Sequence, residues 1–513
     1  MRKWIPLVAI CLGTFMLLVD VSIVNVALPQ MATDLHSSFT SLQWVVDMYA
    51  LVLAAVLMVV GALGDRVGHR RMYLIGLVVF AVASLTCGLA PNATMLIVSR
   101  AAQGLGGAAM LTSTTSLLSA SYQGRDRGTA FGIWGAVSGA AAAVGPVLGG
   151  LLTDGIDWRA IFFVNLPIAA AAIVMSMRFL RNDEGRASNG RLDYPGAVSF
   201  TVFAAALVYG LIQSAGDGWG SSTVLGSLGL SVLALIVFLV IESRTANPLL
   251  DLSLMRNRSF AGLTIAGLLL NAAAFAHLTY TSIWLQSVLG LSAIQAGLTV
   301  CPLALAAFVV SANNDRVFRK AAPQIPIGLG LIFIGGGTLL LTMVSASSSW
   351  TVVLPGLIVT GVGVGMAMPV LMSAAMAAVP RERAGMASGA VNTARQLGYA
   401  LGIAVLGTVF ADRIQSYVVA NGKVPNPQQT ASALSGGRAG AILHQVPAEH
   451  RAAFESLVHG AFATGLDRVF LTAGLIGVGG GLLVLLMVRR SSTPPPWEAP
   501  ADGQPVAAAA AGH

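Results

Sequence analysis

GALGDRVGHRR occupies positions 61–71 and lies between two apolar runs, 44–61 and 72–90. A short basic turn clipped between two segments of membrane length fixes an orientation, because Lys and Arg stay on the cytoplasmic face of an inner membrane. The order of residues adds to this. Gly61 and Gly68 permit a close helix approach and a tight turn. Asp65 is placed to accept from backbone amides at a helix start, while Arg66, Arg70 and Arg71 are placed to bridge helix ends.

Composition points the same way. Of 513 residues, 56% are hydrophobic and only 10% are charged, and the mean hydropathy is +0.78. Soluble domains carry about 25% charged residues, so this chain reads as an all-α polytopic membrane protein. Its 58 glycines suit close helix packing in lipid. Cys11, Cys87 and Cys301 stand singly in separate apolar runs, which excludes a disulfide framework and a metal cluster by spacing. No GxxxxGK[ST] stretch is present, so no nucleotide cofactor is expected and the energy source is an ion gradient. The apolar N-terminal run, 5–28, is too long for a signal peptide and contains Asp20, so it reads as an uncleaved first helix.

Runs of about twenty apolar residues predict fourteen spans: 5–28, 44–63, 72–90, 95–119, 130–152, 161–180, 196–213, 224–241, 260–283, 293–312, 327–344, 352–372, 386–410 and 470–488. In lipid, runs this long must be helices. Charge tests the count. With both termini inside, 21 of the 29 basic residues fall in inward segments, six lie outside, and Arg100 and Arg395 fall within helices. Thirteen or fifteen spans would scramble that asymmetry. The net charge of +8 therefore reports topology and contact with anionic lipid, not nucleic acid.

An internal repeat survives. RDRG at 125–128 returns as RERA at 381–384, Asp65-Arg66 returns as Asp315-Arg316, and Gly104 and Gly106 return as Gly361 and Gly363. The offsets lie near 250 residues, so two six-helix halves are expected at 1–180 and 259–488, with two helices inserted in 181–258. The stretch 411–464 is weakly hydrophobic and reads as an extracellular loop with some helix near 448–458, while 489–513 is a Pro/Ala tail expected to be disordered.

The turn at 61–71 resembles the loop between helices 2 and 3 of the major facilitator superfamily, with every position matched. With fourteen spans, the whole chain from about 4 to 490 resembles the drug:proton antiporters of that superfamily. Three further stretches carry the likeness: LVDVSIVNVALP at 18–29, LIVSRAAQGLGGAA at 96–109 and AVGPVLGG at 143–150. DWRAIFFVNLP at 157–167 also looks like the family. One upstream glycine of the fifth-helix pattern is replaced by Ala141.

The resemblance implies roles residue by residue. Asp20 matches a membrane-embedded acid that carries protons, followed by Asn25. Arg100 matches the fourth-helix arginine assigned to proton transfer, with Gln103 and Gly104. Gly145, Pro146, Gly149 and Gly150 match the antiporter stretch. A carboxylate in hydrocarbon is costly and by default functional, although a permanently satisfied structural Asp is the competing reading. Arg100, at a depth similar to that of Asp20 by residue count, either sets the pKa of that acid or snorkels to the headgroups. Asp47 is a second candidate acid, or simply an interfacial one. In the second half the cavity candidates are His277, Asn392 and Arg395, beside Asn271, Gln286 and Gln396; His277 is as readily a packing histidine. The resulting expectation is a proton-coupled exporter of amphiphilic compounds, working as a monomer in a bacterial cytoplasmic membrane, with a dedicated exporter of one metabolite as the alternative.

Overall fold

The computed structural model describes residues 2–37, 39–180, 193–245, 248–318, 321–379, 383–421, 424, 426–436, 439, 442 and 446–488. The tail expected at 489–513 and the basic residues Arg181, Arg186, Arg191, Arg319, Lys320 and Arg381 lie outside them.

Among the described residues, fourteen long helices form the body: α1 (Ile5–Asp34), α2 (Phe39–Val67), α3 (His69–Gly88), α4 (Ala93–Ser121), α5 (Gly124–Gly155), α6 (Asn165–Phe179), α7 (Tyr194–Asp217), α8 (Ser222–Arg244), α9 (Arg258–Ala274), α10 (Ala293–Phe318), α11 (Gln324–Leu340), α12 (Leu354–Ala377), α13 (Ala384–Asn421) and α14 (Ala448–Met487). No strand occurs among the described residues. Twelve spans are long and apolar enough to cross a membrane by length and composition alone. The other two helices, α4 and α5, are diluted by the hydroxyls at 112–116 and by a run of Gly and Ala. Both nevertheless lie among spanning neighbours, α4 on α2 and α3, α5 on α1 and α10. Several starts are capped as their sequences dictate: Asn92 accepts from Met95 N at 2.9 Å, and Asn257 accepts from Ser259 N at 3.0 Å.

The helix pairings obey the repeat. The contacts α1–α5, α2–α4, α3–α4 and α1–α6 recur as α9–α13, α10–α12, α11–α12 and α9–α14. The glycines recur with them. Gly104 backs onto the Tyr49 carbonyl of α2 and Gly106 onto Gly76 of α3, just as Gly361 backs onto the Leu303 carbonyl of α10 and Gly363 onto Gly330 of α11. A Cβ at any of these four would meet backbone, which cannot give way as a flexible side chain can. Two long seams join the halves, α2 against α13 and α5 against α10, and they too exchange under the repeat. The inserted α7 and α8 pack on the outside of α2 and α13, with Phe200, Ala204 and Phe238 against Ala55 and Met58. Helix α8 turns Leu230, Leu233 and Val237 outward, as a lipid-facing helix must.

The stretch 411–464, expected as a loop, is largely helical. Helices of 38 and 40 residues, α13 and α14, run on past the apolar layer; at 1.5 Å per residue they reach about 57 and 60 Å against a hydrocarbon core of about 30 Å. Ile414 and Val418 of α13 pack with Phe454, Val458 and Phe462 of α14, under the short helix Pro427–Ser435. Low overall hydrophobicity concealed this because one apolar stripe per helix is enough for a two-helix extension.

Candidate functional site

Among the described residues, four helices converge on Asp20, and a fifth, α2, holds its partner Arg100. Asp20 sits in α1 with no exposed surface, and around it are Arg100 and Gln103 from α4, Ser84 from α3 and Asn165 from the start of α6, all buried. Arg100 Nη1 donates to Asp20 Oδ2 at 2.5 Å, while Asn165 Nδ2 and Gln103 Nε2 donate to Oδ1 at 2.9 and 3.3 Å. Arg100 is held in turn: its Nε donates to the Val45 carbonyl at 3.0 Å, and its guanidinium lies 4.3 Å over the Tyr49 ring of α2. The Gln103 amide is oriented by its neighbours, since its oxygen takes Arg100 Nη1 at 2.8 Å and its nitrogen donates to Ser84 Oγ at 2.8 Å. Each contact on Asp20 comes from an N–H donor. The guanidinium meets the charge of the carboxylate and the two amides meet its other oxygen.

The structure thus brings together Asp20, Arg100 and Gln103. Arg100 does not snorkel; its head turns inward to the acid. Asn165, Ser84 and Tyr49 complete the cluster and were missed as site residues, although Asn165 lies in the DWRAIFFVNLP stretch. The repeat offset of Gly104 and Gly361 also shows what the second half offers in the same place. Adding that interval to Asp20, Gln103 and Arg100 gives His277, Thr360 and Leu357. His277 is buried, both its ring nitrogens lack a hydrogen-bond partner, and it stands edge-on to Phe470 at 5.7 Å. One half holds an ion pair where the other holds an unpaired histidine.

The antiporter stretch meets the same segment of α1. A Cβ on Gly145 would strike Ser22 Oγ, and one on Gly149 would come within 3.0 Å of the Ile23 carbonyl, so α5 fits against α1 within a turn of Asp20. Gly150 faces Ile294 of α10, across the seam between halves. Helix α5 continues without a break through Pro146. Asn25 belongs to α1, but its side chain lies outside what is described. At the end of the bundle away from 61–71, Trp158 Nε1 donates to Asp34 at 3.0 Å and Arg159 pairs with it at 2.7 Å. First the Trp158 bond and then Arg159 hold the Asp34 carboxyl below the usual carboxylate range.

The basic turn reaches from one half of the bundle to the other. Asp65 Oδ1 and Oδ2 accept from Gly385 N and Met386 N, at 2.6 and 2.8 Å, at the start of α13. His69 Nε2 lies 3.0 Å from the same carboxylate. Gly61 has no room for a Cβ because the Gly385 carbonyl occupies that space. Gly68, at φ 97°, adopts a conformation that favours glycine and lets α3 begin at His69. Arg70 donates to the Ser176 and Met177 carbonyls, at 3.4 and 2.6 Å, at the end of α6. Arg66 is half-buried and Arg71 exposed. Nearby, Thr115 Oγ1 bonds Ser388 Oγ, Ser388 donates to the Thr112 carbonyl at 2.9 Å, and Arg127 donates to the Ser373 carbonyl at 3.2 Å. Polar ties between halves gather at this end, so it is closed.

The remaining candidates do not join the cluster. Asp47 is half-buried in α2 and makes no hydrogen bond or ion pair with a described residue. Asn392 and Arg395 adjoin each other on α13, Arg395 Nη1 donating to Asn392 Oδ1 at 2.9 Å.

Comparison with known proteins places this architecture. The model of the Major Facilitator Superfamily matches residues 10–403. Similar curated proteins include a tetracenomycin C resistance and export protein of Streptomyces glaucescens, 31% identical over 93% of this chain and 90% of its own length. The multidrug resistance protein Stp of Mycobacterium tuberculosis is 37% identical over 79% of this chain and 76% of its own. The multidrug efflux pump LfrA of Mycolicibacterium smegmatis is 32% identical over 93% and 96%. Among solved structures, the human organic anion transporter MFSD10 covers 94% of this chain and 99% of its own at a TM-score of 0.59 and 15% identity, a likeness of fold alone.

Proposed function

The chain belongs to the major facilitator superfamily, and we propose that it is a proton-coupled antiporter that exports amphiphilic drugs or antibiotics from a bacterial cell. It is a multi-pass membrane transporter and not an enzyme. The observation that carries the coupling is the buried Asp20–Arg100 pair, which has one acid, one fixed cation and only N–H donors around it. Removing one member of such a pair costs about 3–5 kcal/mol, because the other is left charged and unpaired. A proton arriving on Asp20 does this chemically: it cancels the attraction to Arg100 and places a hydroxyl among donors. The cluster is then under pressure to open, and α1 must shift for it to do so. Helix α5, fitted to α1 at Ser22 and Ile23 and to α10 at Ile294, carries that shift to the seam between halves. Asp65 holds the opposite equilibrium by tying α2 to α13.

In this reading the basic end is cytoplasmic, by the retention of Lys and Arg on that side. Both termini are inside a bacterial cytoplasmic membrane, and the state described is closed to the cytoplasm. The working unit is the monomer, and the substrate and proton exchange through one set of alternating states. The names of relatives support efflux, and those named for one antibiotic, such as tetracenomycin C, favour a dedicated exporter as the second reading. Cells expressing the chain should retain less of an amphiphilic fluorescent dye, and a protonophore should erase the difference. Unchanged retention across a panel of dyes and hydrophobic antibiotics would leave the dedicated exporter.

A further inference from the structure

Arg395 is a cation without an anion. It projects from the middle of α13 into the second half of the bundle, where its Cγ abuts Gly267 of α9. A guanidinium has five N–H donors. Here Nη1 reaches Asn392 Oδ1 at 2.9 Å, Nη2 has only the Met368 sulfur at 3.9 Å, and Nε is buried with no partner. Among the described residues no carboxylate comes within ion-pair distance of it. Four residues beyond Gly267 on the same face of α9, the buried Asn271 Oδ1 is also without a partner. The contrast with Arg100 is sharp: one membrane arginine has a carboxylate, a glutamine, a carbonyl and a ring, and the other has one amide and a thioether.

A charge held in a bundle interior is paired or hydrogen-bonded, and an unpaired one marks a ligand path. Resting on the exporter reading, we propose that Arg395 receives the anionic group of the substrate: the transported compounds are apolar ring systems bearing a carboxylate or acidic enol. The acid accepts the fork of Nε and Nη2, and Met368 of α12 offers a pliable apolar surface beside it.

The test uses three pyrene probes with one ring system and different heads: 1-pyrenebutyrate, 1-pyrenebutanol and 1-pyrenemethylammonium. Uptake is measured in inside-out vesicles acidified inside, alongside pyrene-fluorescence binding to the full-length protein in detergent. The wild type should favour pyrenebutyrate over pyrenebutanol by about tenfold or more, the worth of a charge-assisted bond. Arg395→Gln should bring that ratio near one, and Arg395→Lys should restore only part of it, because the fork is lost. If Arg395→Gln does not fold, the wild-type ratio in binding still decides. Uptake of the ammonium probe without a preference for the carboxylate, or a ratio untouched in Arg395→Gln, overturns this inference alone. Displacement of pyrenebutyrate by phosphatidylglycerol, with no uptake of it, assigns Arg395 to lipid and also overturns it. Uptake of none of the three would instead bring down the multidrug reading on which this inference rests, and leave the dedicated exporter.

Discussion

Replacing Asp65 with Asn keeps the shape of the latch and removes its charge. In the structure the carboxylate accepts two backbone N–H groups at the start of α13, at 2.6 and 2.8 Å, with His69 beside it. Hydrogen bonds to a charged group are worth about 1.5–3 kcal/mol each, and the helix N-terminus adds about 0.3–1 kcal/mol for a negative neighbour. Asn retains one acceptor oxygen but turns an NH2 toward the second N–H. The loss is therefore about 2–3 kcal/mol in the closed state alone, or about 30- to 150-fold in the equilibrium between closed and open. Spin labels at the exposed Ser121 of α4 and Ala377 of α12, which end the two halves at the basic face, report this directly once Cys11, Cys87 and Cys301 are replaced. The Asp65→Asn distance distribution should gain a long component that the parent lacks, and turnover in proteoliposomes should fall while expression holds. An unchanged distribution with normal turnover would refute the latch.

Other expectations follow from the same geometry. Gly61→Ala should behave like Asp65→Asn in the spin-label assay, because its Cβ would take the space of the Gly385 carbonyl; wild-type distances in Gly61→Ala would contradict the close approach. His277→Leu should keep proton-coupled efflux and a melting temperature at or above that of the parent, since its buried nitrogens have no partners to lose; loss of coupling would make it a second proton site. Arg383→Ala should slow transport through loss of its pair with Asp251, which with the Asp251 N to Met386 Sδ contact of 3.3 Å braces the start of α13; unchanged turnover would reduce the pair to a surface contact. The Asp34 clasp has the sign of a depressed carboxylate: its contribution is present above the ordinary pKa of about 3.9 and fades as pH falls through the lower folded value. The difference in melting temperature between wild type and Asp34→Asn should hold constant from about pH 5 to 8, and a difference that shrinks as pH falls across that range would contradict the assignment.

Much of this was legible in the sequence because lipid makes few demands, and makes them strictly. Runs of membrane length must be helices, and basic residues sort by side, so fourteen spans and two halves could be read from 5–28 onward. The glycines at 104, 106, 361 and 363 disclosed the repeat because close backbone approach admits no other residue. Asp20 and Arg100 stood out as charges where charges are expensive. Their similar depth in the first half made them partners on sequence alone; what was not legible was that Asn165 joins them, because nothing in a linear pattern says which faces of α1, α4 and α6 meet. The helical extension beyond 411 was hidden by the opposite fault: its single apolar stripe, Ile414 to Val418 against Phe454 to Phe462, is diluted by polar residues that face water.

The central claim is that Asp20 exchanges the proton that drives export. It is tested most directly in proteoliposomes carrying a pH-sensitive dye, by recording proton movement when substrate is added to wild type and to Asp20→Asn. The wild type should release protons stoichiometrically with substrate uptake. Asp20→Asn should bind substrate yet move no protons, and Asp20→Glu should retain part of the flux. Full coupled flux in Asp20→Asn would contradict the account and transfer the role to another acid, with Asp47 first in line.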